Sequence, residues 1–368
     1  MHKTSAQGAL ADRWARLTAA LPADLRARTI AEARVVRLPG NVPPWTDTGL
    51  RLAKGEEVSV LAEGRIVTSE AAGLSFGPRF ALWARIGGRG PIWTGTRDTQ
   101  SFRAERDGAL ELAVYNGEWK TPDGVLATPV EAYAGTSGAL DVLVVRWRGD
   151  AQPGLAALAS TSPGEPLVSA ELERLAAPAV RPAGWSYLWF LGQSEVYRAQ
   201  RVGASHSIAC RCQDDVAILR RPIDLALDAE SEIRWRWKID RLPSSQPEDS
   251  LLSHDYLSVA LEFDDGRDLS WFWSSSLPIG KSFACPIPQW TPRETHQVVR
   301  TGAAGLGAWQ SERRAILADH AAAIGGATPR RAVAVWLIAT SIFQHGLGEA
   351  EFADIAVESG GKTVEVIG

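Results

Sequence analysis

Polar side chains that could take part in catalysis or binding recur at every second position in the C-terminal half of the chain. They comprise arginines, a lysine, a tyrosine, a serine, a glutamate and a histidine: Arg234, Arg236, Lys238, Tyr256, Ser258, Glu262, His296 and Arg300. Positions two apart lie on the same face of a strand, so each set is expected to share one face of a sheet. Because guanidinium groups bind carboxylates with two parallel hydrogen bonds, such a groove would suit an acidic sugar polymer. An ordinary solvated sheet face is the alternative.

The same side chains could carry out lyase cleavage of a uronic-acid polymer. That reaction needs a cation beside the carboxylate, a base for the neighbouring proton and an acid for the leaving oxygen. Arg236 or Arg300 could provide the cation. His296 or His254 could act as the base, and Tyr256 as the acid.

Hydrolysis of a glycosidic bond is the alternative reaction. It needs two carboxyl groups about 5–9.5 Å apart. Asp255 with Glu262 is one candidate pair, and Asp264 with Asp265 is another, although these adjacent residues fit a turn before Gly266. The chain has no G-x-S-x-G motif, no P-loop and no dinucleotide-binding fingerprint. Whether the protein is an enzyme is therefore left open, and a carbohydrate-active lyase or hydrolase is the class expected if it is one.

Aromatic residues give a second set of candidates, because the chain has 15 tryptophans and only one methionine. A flat apolar ring with one hydrogen-bond donor suits stacking on a sugar. The segment from Phe272 to Trp290 is rich in aromatic residues and proline, which predicts either a binding wall or a loop folded over the end of the core. The candidate ligand-binding residues are Tyr115, Asn116, Trp119, Arg234, Trp271, Trp273 and Trp290.

Composition excludes several classes of protein. Lys plus Arg is 39 and Asp plus Glu is 43, a net charge of −4 that gives no general attraction to nucleic acid. No apolar run reaches the ~18 residues of a membrane span. The first residues have no apolar core of signal-peptide length, so we expect a cytoplasmic protein, or one exported without a classical signal.

The metal-binding residue types show no familiar spacing. The three cysteines, Cys210, Cys212 and Cys285, form no framework of pairs, and the six histidines form no H-x-H or H-E-x-x-H motif. We predict buried, reduced cysteines and no metal centre.

Strand and turn patterns predict a mainly β chain with two β-sandwich (jelly-roll) domains and a short helical segment at the N-terminus. Residues 1–40 form the helical segment, 41–149 the first sandwich, 150–183 a linker and 184–368 the second sandwich. Strict alternation of apolar and polar residues indicates strands at Glu232–Asp240 and Tyr256–Asp264, each with one buried and one accessible face. Helices are predicted within residues 8–36, near 169–176 and over Ser311–Ile324.

Residues 45–147 resemble the galactose-specific PA-I lectin family, a small calcium-dependent jelly roll. Six short motifs carry the resemblance: Trp45–Gly49, Ala62–Gly64, Ser75–Pro78, Gly108–Leu112, Tyr115–Gly117 and Ser137–Gly138. The resemblance implies a galactose-binding-like sandwich that recognises carbohydrate.

The calcium site implied by that resemblance is incomplete in this sequence. The family's carbonyl, aspartate and asparagine positions fall on Phe76, Gly117, Gly135 and Thr136, which offer no carboxylate. A calcium ion needs about 6–8 oxygen ligands, and Asp123 and Glu131 could supply carboxylates only in a rebuilt site. We predict no cofactor, with calcium as the alternative. Tyr115, Asn116 and Trp119 are the candidates for a metal-free sugar site, and a purely structural domain is the alternative to any sugar site.

Residues 184–358 resemble an uncharacterised bacterial domain family with an expected concanavalin-like jelly roll. The resemblance lies in Trp235–Asp240, His254–Tyr256, Leu269–Trp273 and Val299–Gly302, and it brings no catalytic residues with it. Three functions remain: a protein that recognises an oligo- or polysaccharide, a glycan-active enzyme with its site in the second sandwich, and an assembly protein that forms a homo-oligomer.

Overall fold

The structure, a computed structural model, describes residues 6–94, 97–116, 118–202 and 205–367. It consists of two compact units. Unit 1 comprises Met1–Pro178 with Gly192–Ser194, and unit 2 comprises Ala179–Leu191 with Glu195–Gly368. Each unit contains two sheets of mostly antiparallel strands. The predicted mainly β class, with two sandwiches and N-terminal helices, is confirmed.

Unit 1 has a five-stranded sheet of order β1-β9-β3-β4, with β7 also pairing with β3, and a four-stranded sheet of order β2-β8-β5-β6. Its strands are β1 Ile30–Pro39, β2 Trp45–Leu52, β3 Glu57–Ser69, β4 Leu74–Phe76, β5 Leu82–Ile86, β6 Trp93–Thr94, β7 Thr99–Arg103, β8 Gly108–Val114 and β9 Ser137–Trp147. A core of Val, Leu, Ile and Ala side chains from both sheets lies between them.

Among its described residues, unit 1 also has five α-helices: α1 Ala6–Ala20, α2 Ala23–Thr29, α3 Pro78–Ala81, α4 Ala151–Thr161 and α5 Pro166–Ala176. Leu17 of α1, Leu155 of α4 and Val168 of α5 are buried in a cluster with Leu143 and Trp147 of β9. Helices therefore cover the face of the five-stranded sheet that points away from the core.

Unit 2 has a seven-stranded sheet of order β10-β13-β20-β15-β16-β18-β17 and a six-stranded sheet of order β11-β12-β21-β14-β19, with β22 pairing with β21. Its strands are β10 Ser186–Tyr187, β11 Tyr197–Val202, β12 Ser205–Gln213, β13 Val216–Ala226, β14 Glu232–Arg241, β15 Tyr256–Phe263, β16 Asp268–Ser274, β17 Ser282–Ala284, β18 Glu294–Thr301, β19 Gln310–Ala315, β20 Arg331–Thr340, β21 Leu347–Ser359 and β22 Lys362–Glu365. The α-helix among its described residues is α6 Ile316–Ala323.

Tryptophans form much of the core between the two sheets of unit 2. Trp235 and Trp237 of β14 point inward together with Ile233 and Ile239, as their alternation predicts. Across the core they meet Trp271 and Trp273 of β16, with ring centres 5.8 and 6.0 Å apart. Burial of these large side chains removes a large apolar area from water and is a main source of stability.

The structure corrects three expectations about secondary structure. Residues 30–39 form β1, which pairs along β9, and the helix expected there ends at Thr29. Residues 151–161 are helical and pack on the sandwich, so the segment expected to be a linker belongs to unit 1. Gln310–Ala315 is a strand paired with β14, because tertiary pairing overrides the helix propensity of its Glu and Arg residues.

Candidate functional site

The two arginines expected to line a groove with Tyr256 lie on a different sheet from it. Arg234 and Arg236 belong to β14, in the six-stranded sheet, and point away from the core. Arg234 Nε lies 2.9 Å from Glu358 Oε1, and Arg236 is paired with Asp354. Since Tyr256 lies on the outer face of the seven-stranded sheet, the predicted lyase constellation does not converge.

Arg300 is also separated from His296, although both belong to β18. Phe272 pairs with Val298, but the next residue, Trp273, pairs with Arg300, so β18 carries one extra residue at this point. A β-bulge of this kind reverses which face the following side chains occupy. Arg300 therefore lies with Trp273 on the core side of the sheet, and the expected shared face is wrong.

Both faces of β15 and β16 are buried, which contradicts the predicted accessible face. The segment from Phe272 to Trp290 folds over the outer face of the sheet and adds β17 beside β18. Trp271 and Trp273 are 0% and 1% exposed and belong to the core, so they offer no wall to a ligand. Trp290 is half-buried, with its ring centre 6.2 Å from that of Trp336.

The carboxylates proposed for hydrolysis are engaged elsewhere. Asp255 is fully buried and accepts hydrogen bonds from the backbone N–H groups of Phe343 and Gln344. Glu262 Oε2 lies 2.8 Å from Arg220 Nε and accepts a bond from the Trp336 indole. Neither group is poised to receive a sugar, because each already accepts hydrogen bonds from other groups of the chain.

The predicted sugar site of unit 1 is largely an aromatic cluster in the interior. Tyr115 and Trp119 are 7% and 4% exposed, and their rings pack against each other and against Trp83. Burial raises the pKa of the Tyr115 hydroxyl. Asn116 is half-buried, and its amide donates to the backbone oxygen of Ala132. The two aromatic side chains therefore stabilise the fold and are not available to a ligand.

The positions implied for calcium are spread over several local contacts. The Thr136 hydroxyl is buried and donates to backbone oxygens of Gly40 and Tyr133. Asp123 accepts a hydrogen bond from Thr121. Gly117, the position of the family's aspartate, lies outside the described residues.

Unit 1 has a cavity of about 370 Å³ beside β6 and β7. Trp93 and Phe102 line its apolar side, with ring centres 5.2 Å apart in an edge-to-face arrangement. Polar and charged side chains complete the lining: Gln100, Arg103, Glu105, Arg106 and Gln193. A concave site with aromatic rings and a few polar groups is typical of small-molecule binding.

None of the residues that line the cavity is among the candidates that the sequence indicates. Gln100 and Phe102 are two apart in β7 and therefore share a face. This spacing is the one feature of the sequence that could have indicated the cavity. Trp93 was not distinguishable from the other tryptophans, because only the pairing of β6 with β5 turns it toward this site.

Unit 2 contains a buried cluster of possible metal ligands. His254, Cys285 and His296 each offer one ligand atom, and these atoms all lie within 4.8 Å of one another. The three side chains are 1%, 0% and 0% exposed. Beside them, the Tyr256 hydroxyl donates a 2.9 Å hydrogen bond to Glu294 Oε1. Both histidines are among the candidates that the sequence indicates, whereas Cys285 and Glu294 are not.

Burial controls the ionisation of this cluster. It lowers the pKa of His254 to about 4, against a weaker opposing effect of the Glu248 backbone oxygen. It also holds the pKa of His296 well below its usual value, with a smaller contribution from His254. Burial raises the pKa of Glu294 to about 7, opposed by the hydrogen bond from Tyr256. Both imidazole rings are therefore neutral near pH 7.

The chain thus has two β-sandwich units, one with a surface cavity and one with a buried polar cluster. Residues 183–356, which form nearly all of unit 2, match the family model described as "Protein of unknown function (DUF3047)". This match confirms the resemblance of residues 184–358 to an uncharacterised domain family. No curated protein matches the chain.

Two solved structures are similar to parts of the chain. One is described as the EclA N-terminal domain, a PllA-like lectin, with 18% identity over 33% of this chain and 98% of that chain, at a TM-score of 0.25. The other is the xyloglucanase domain of NopAA, a type three effector from Sinorhizobium fredii, in complex with cellobiose. It is 9% identical over 49% of this chain and 94% of that chain, at a TM-score of 0.27. We assign no function from similarities of this size.

Within the described residues, no helix combines the length and the apolar character needed to cross a membrane.

Proposed function

We propose that this protein is a carbohydrate-recognition protein and that unit 1 binds one end of an oligosaccharide in the cavity beside Trp93. The observation that carries the proposal is that aromatic side chains line one side of a cavity of about 370 Å³ and polar side chains line its rim. That volume is near the lower end of the ~300–1,000 Å³ typical of ligand sites. A site of this size suits a terminal sugar of a longer chain.

The two sides of the cavity match the two sides of a sugar ring. The carbon-bound hydrogens of one sugar face are apolar and pack well on a flat aromatic surface such as Trp93. The hydroxyl groups at the sugar's edge need donors and acceptors, which the side-chain amides of Gln100 and Gln193 and the carboxylate of Glu105 provide.

The charges at the rim favour an acidic glycan. Arg103 and Arg106 both line the cavity and are exposed. Arg103 is already paired with Glu57, its Nη2 2.9 Å from Glu57 Oε1. We therefore assign recognition of a carboxylate or sulfate group to Arg106, since a guanidinium group binds either with charge-assisted hydrogen bonds.

The test is binding of the full chain to a panel of neutral and acidic oligosaccharides, measured by calorimetry and by mass spectrometry of the recovered sugars. Arg106→Ala is expected to weaken binding of an acidic ligand about tenfold, the equivalent of about 1.4 kcal/mol, and to leave neutral ligands unaffected. Trp93→Phe should weaken both classes. Arg51→Ala is the matched control, because the Arg51 side chain is 75% exposed and does not line the cavity.

Three results would overturn the proposal. The first is that no sugar in the panel binds. The second is equal binding by Arg106→Ala and Arg51→Ala together with unchanged binding by Trp93→Phe. The third is the appearance of sugar fragments: an added water would indicate a hydrolase, and unsaturated ends a lyase.

A further inference from the structure

The cluster of His254, Cys285 and His296 joins three separate parts of unit 2. His254 lies just before β15, Cys285 just after β17, and His296 within β18. Their ligand atoms lie within 4.8 Å of one another. In a tetrahedral zinc site, Zn–N is about 2.0–2.1 Å and Zn–S about 2.3 Å, which places neighbouring ligand atoms some 3–4 Å apart. The cluster therefore needs only small side-chain adjustments to enclose such an ion.

The orientation of His254 is that of a metal ligand. Its Nδ1 lies 2.7 Å from the backbone oxygen of Glu248. A carbonyl oxygen only accepts hydrogen bonds, so Nδ1 carries the proton and Nε2 keeps its lone pair. That lone pair accepts a hydrogen bond from the Cys285 thiol, whose Sγ lies 3.4 Å away, and it becomes available to a metal ion when the thiol loses its proton. Histidines that bind metals typically donate their other N–H to a carbonyl or carboxylate in this way.

His296 provides an independent observation. It is fully buried, and within the part of the chain that the structure describes neither of its ring nitrogens has a hydrogen-bond partner. A buried polar group without a partner costs about 1–3 kcal/mol. Coordination of a metal ion by one nitrogen would remove part of this cost, whereas the surrounding rings of Tyr256, Phe272 and Phe283 offer it no hydrogen bond.

We propose that unit 2 binds one zinc ion through His254 Nε2, Cys285 Sγ and a ring nitrogen of His296. Glu294 takes the fourth position, since its Oε1 lies 3.6 Å from His296 Nε2. Two imidazoles, one thiolate and one carboxylate suit Zn²⁺ and not calcium, which takes oxygen ligands only.

Charge balance supports this assignment. A buried ion is tolerated only when its charge is compensated. The thiolate of Cys285 and the carboxylate of Glu294 together neutralise the two positive charges of zinc. The thiol of Cys285 loses its proton to solvent when the ion binds, so no oxidant or reductant is needed.

The site is closed, which indicates a structural role. All four side chains are at most 3% exposed, and structural zinc sites have four protein ligands, whereas catalytic sites keep one position for water. The ion would fasten the segment from Phe272 to Trp290 onto the outer face of the seven-stranded sheet. The proposed zinc site is independent of the sugar site proposed for unit 1.

The test uses the full chain, stripped with a chelator and reloaded with zinc or cobalt. Elemental analysis should find one zinc per chain after excess metal is removed. Cobalt should give a thiolate-to-metal charge-transfer band and the intense visible bands of a tetrahedral site. Cys285→Ser and His296→Gln should each weaken zinc binding at least about a hundredfold. Replacing a residue that only hydrogen-bonds to a metal ligand already lowers metal affinity about 10–100-fold, and these two variants remove a ligand itself.

Cys210→Ser is the matched control, because Cys210 is also buried but lies in the six-stranded sheet. It should keep full zinc binding and the cobalt charge-transfer band. The wild-type chain should unfold at a higher temperature with zinc than without it.

Absence of bound zinc in the wild-type chain would overturn the proposal, and so would equal binding by the Cys285 and Cys210 variants. If the Cys285 variant does not fold, the wild-type cobalt spectrum decides, because a spectrum without a thiolate band contradicts the proposed ligand set.

Discussion

The guanidinium carbon of Arg300 lies 5.5 Å from the ring centre of Trp273, on the side of β18 opposite to His296. Its Nε is bound to Glu312 of β19, and the same carboxylate accepts a 3.1 Å hydrogen bond from the Trp237 indole. Arg300 thus connects the two sheets of unit 2 at one end of the core. Its role is structural, where the sequence suggested a catalytic cation.

Replacement of Arg300 by Met should lower the free energy of unfolding of unit 2 by about 1–3 kcal/mol, because a half-buried carboxylate loses its charged partner. The measurement is urea unfolding followed by tryptophan fluorescence. Arg313→Met is the control: its pair with Glu232 is largely exposed, at 53% and 34%, and should contribute at most about 0.5 kcal/mol. Equal losses in the two variants would contradict the assigned role of Arg300.

The regular strands were predictable because alternation directly encodes their faces. Glu232–Asp240 was predicted to within one residue of β14, and its inward residues are those expected. The extra residue in β18 has no such signal, since neither glycine nor proline marks the bulge. One residue was enough to move Arg300 to the other side of the sheet.

The candidate sites were less predictable, because each depends on parts of the chain that are distant in sequence. The polar face of β15 matched a solvated surface, but residues distant along the chain, among them Phe283, cover it. Spacing rules detect metal ligands that lie close together in one motif. His254, Cys285 and His296 lie on three separate parts of the chain, so their spacing in the sequence gives no sign that they meet. The absence of a metal centre therefore stays a prediction.

Trp271 should behave as a core residue and not as a sugar-binding residue. Its indole donates to Gln297 Oε1 at 3.0 Å and to Asp319 Oδ2 at 2.9 Å. Trp271→Phe removes both bonds and leaves a small void, so we expect a loss of about 2–3 kcal/mol in the stability of unit 2, measured by urea unfolding. Oligosaccharide binding by the folded variant should be unchanged. The exposed Trp189, replaced by Phe, should alter stability by less than about 0.5 kcal/mol.

A stability gain or no change in Trp271→Phe would mean that these two hydrogen bonds contribute little. Weakened sugar binding by a fully folded variant would instead indicate that Trp271 takes part in ligand binding.

Gly154 tests whether α4 is packed tightly on the sandwich of unit 1. A Cβ atom at this position would lie 2.3 Å from Cζ3 of Trp147, whose ring is buried. Alanine normally stabilises a helix interior by about 1 kcal/mol relative to glycine. Here we expect Gly154→Ala to destabilise unit 1 by about 1–2 kcal/mol, because overpacking costs about 1–3 kcal/mol. Urea unfolding with circular dichroism measures it.

The neighbouring Gly149→Ala is the control, since a Cβ atom there meets nothing within 4 Å. It should change stability by less than about 0.5 kcal/mol. A stabilised Gly154 variant would indicate that residues 151–161 move freely relative to the sheet.

His320 should make the stability of unit 2 depend on pH. Burial, and to a smaller extent the Arg267 guanidinium, lower the pKa of His320, and Asp265 opposes them weakly. Arg267 Nη2 lies 3.4 Å from His320 Nε2, and Phe263 packs edge-on against the ring. The unfolded chain therefore takes up a proton near pH 6.5, whereas the folded chain does so only at a lower pH.

The sign of the effect follows from this difference in proton uptake. The contribution of His320 to stability is constant above about pH 6.5 and is lost as the pH falls from there toward the folded pKa. We expect His320→Gln to reduce the slope of unfolding free energy against pH between about 7 and 5. Arg267→Met should reduce the slope less, because burial is the larger cause of the shift. Wild-type and His320→Gln curves that run parallel over this range would show that the ring titrates alike in the folded and unfolded chains.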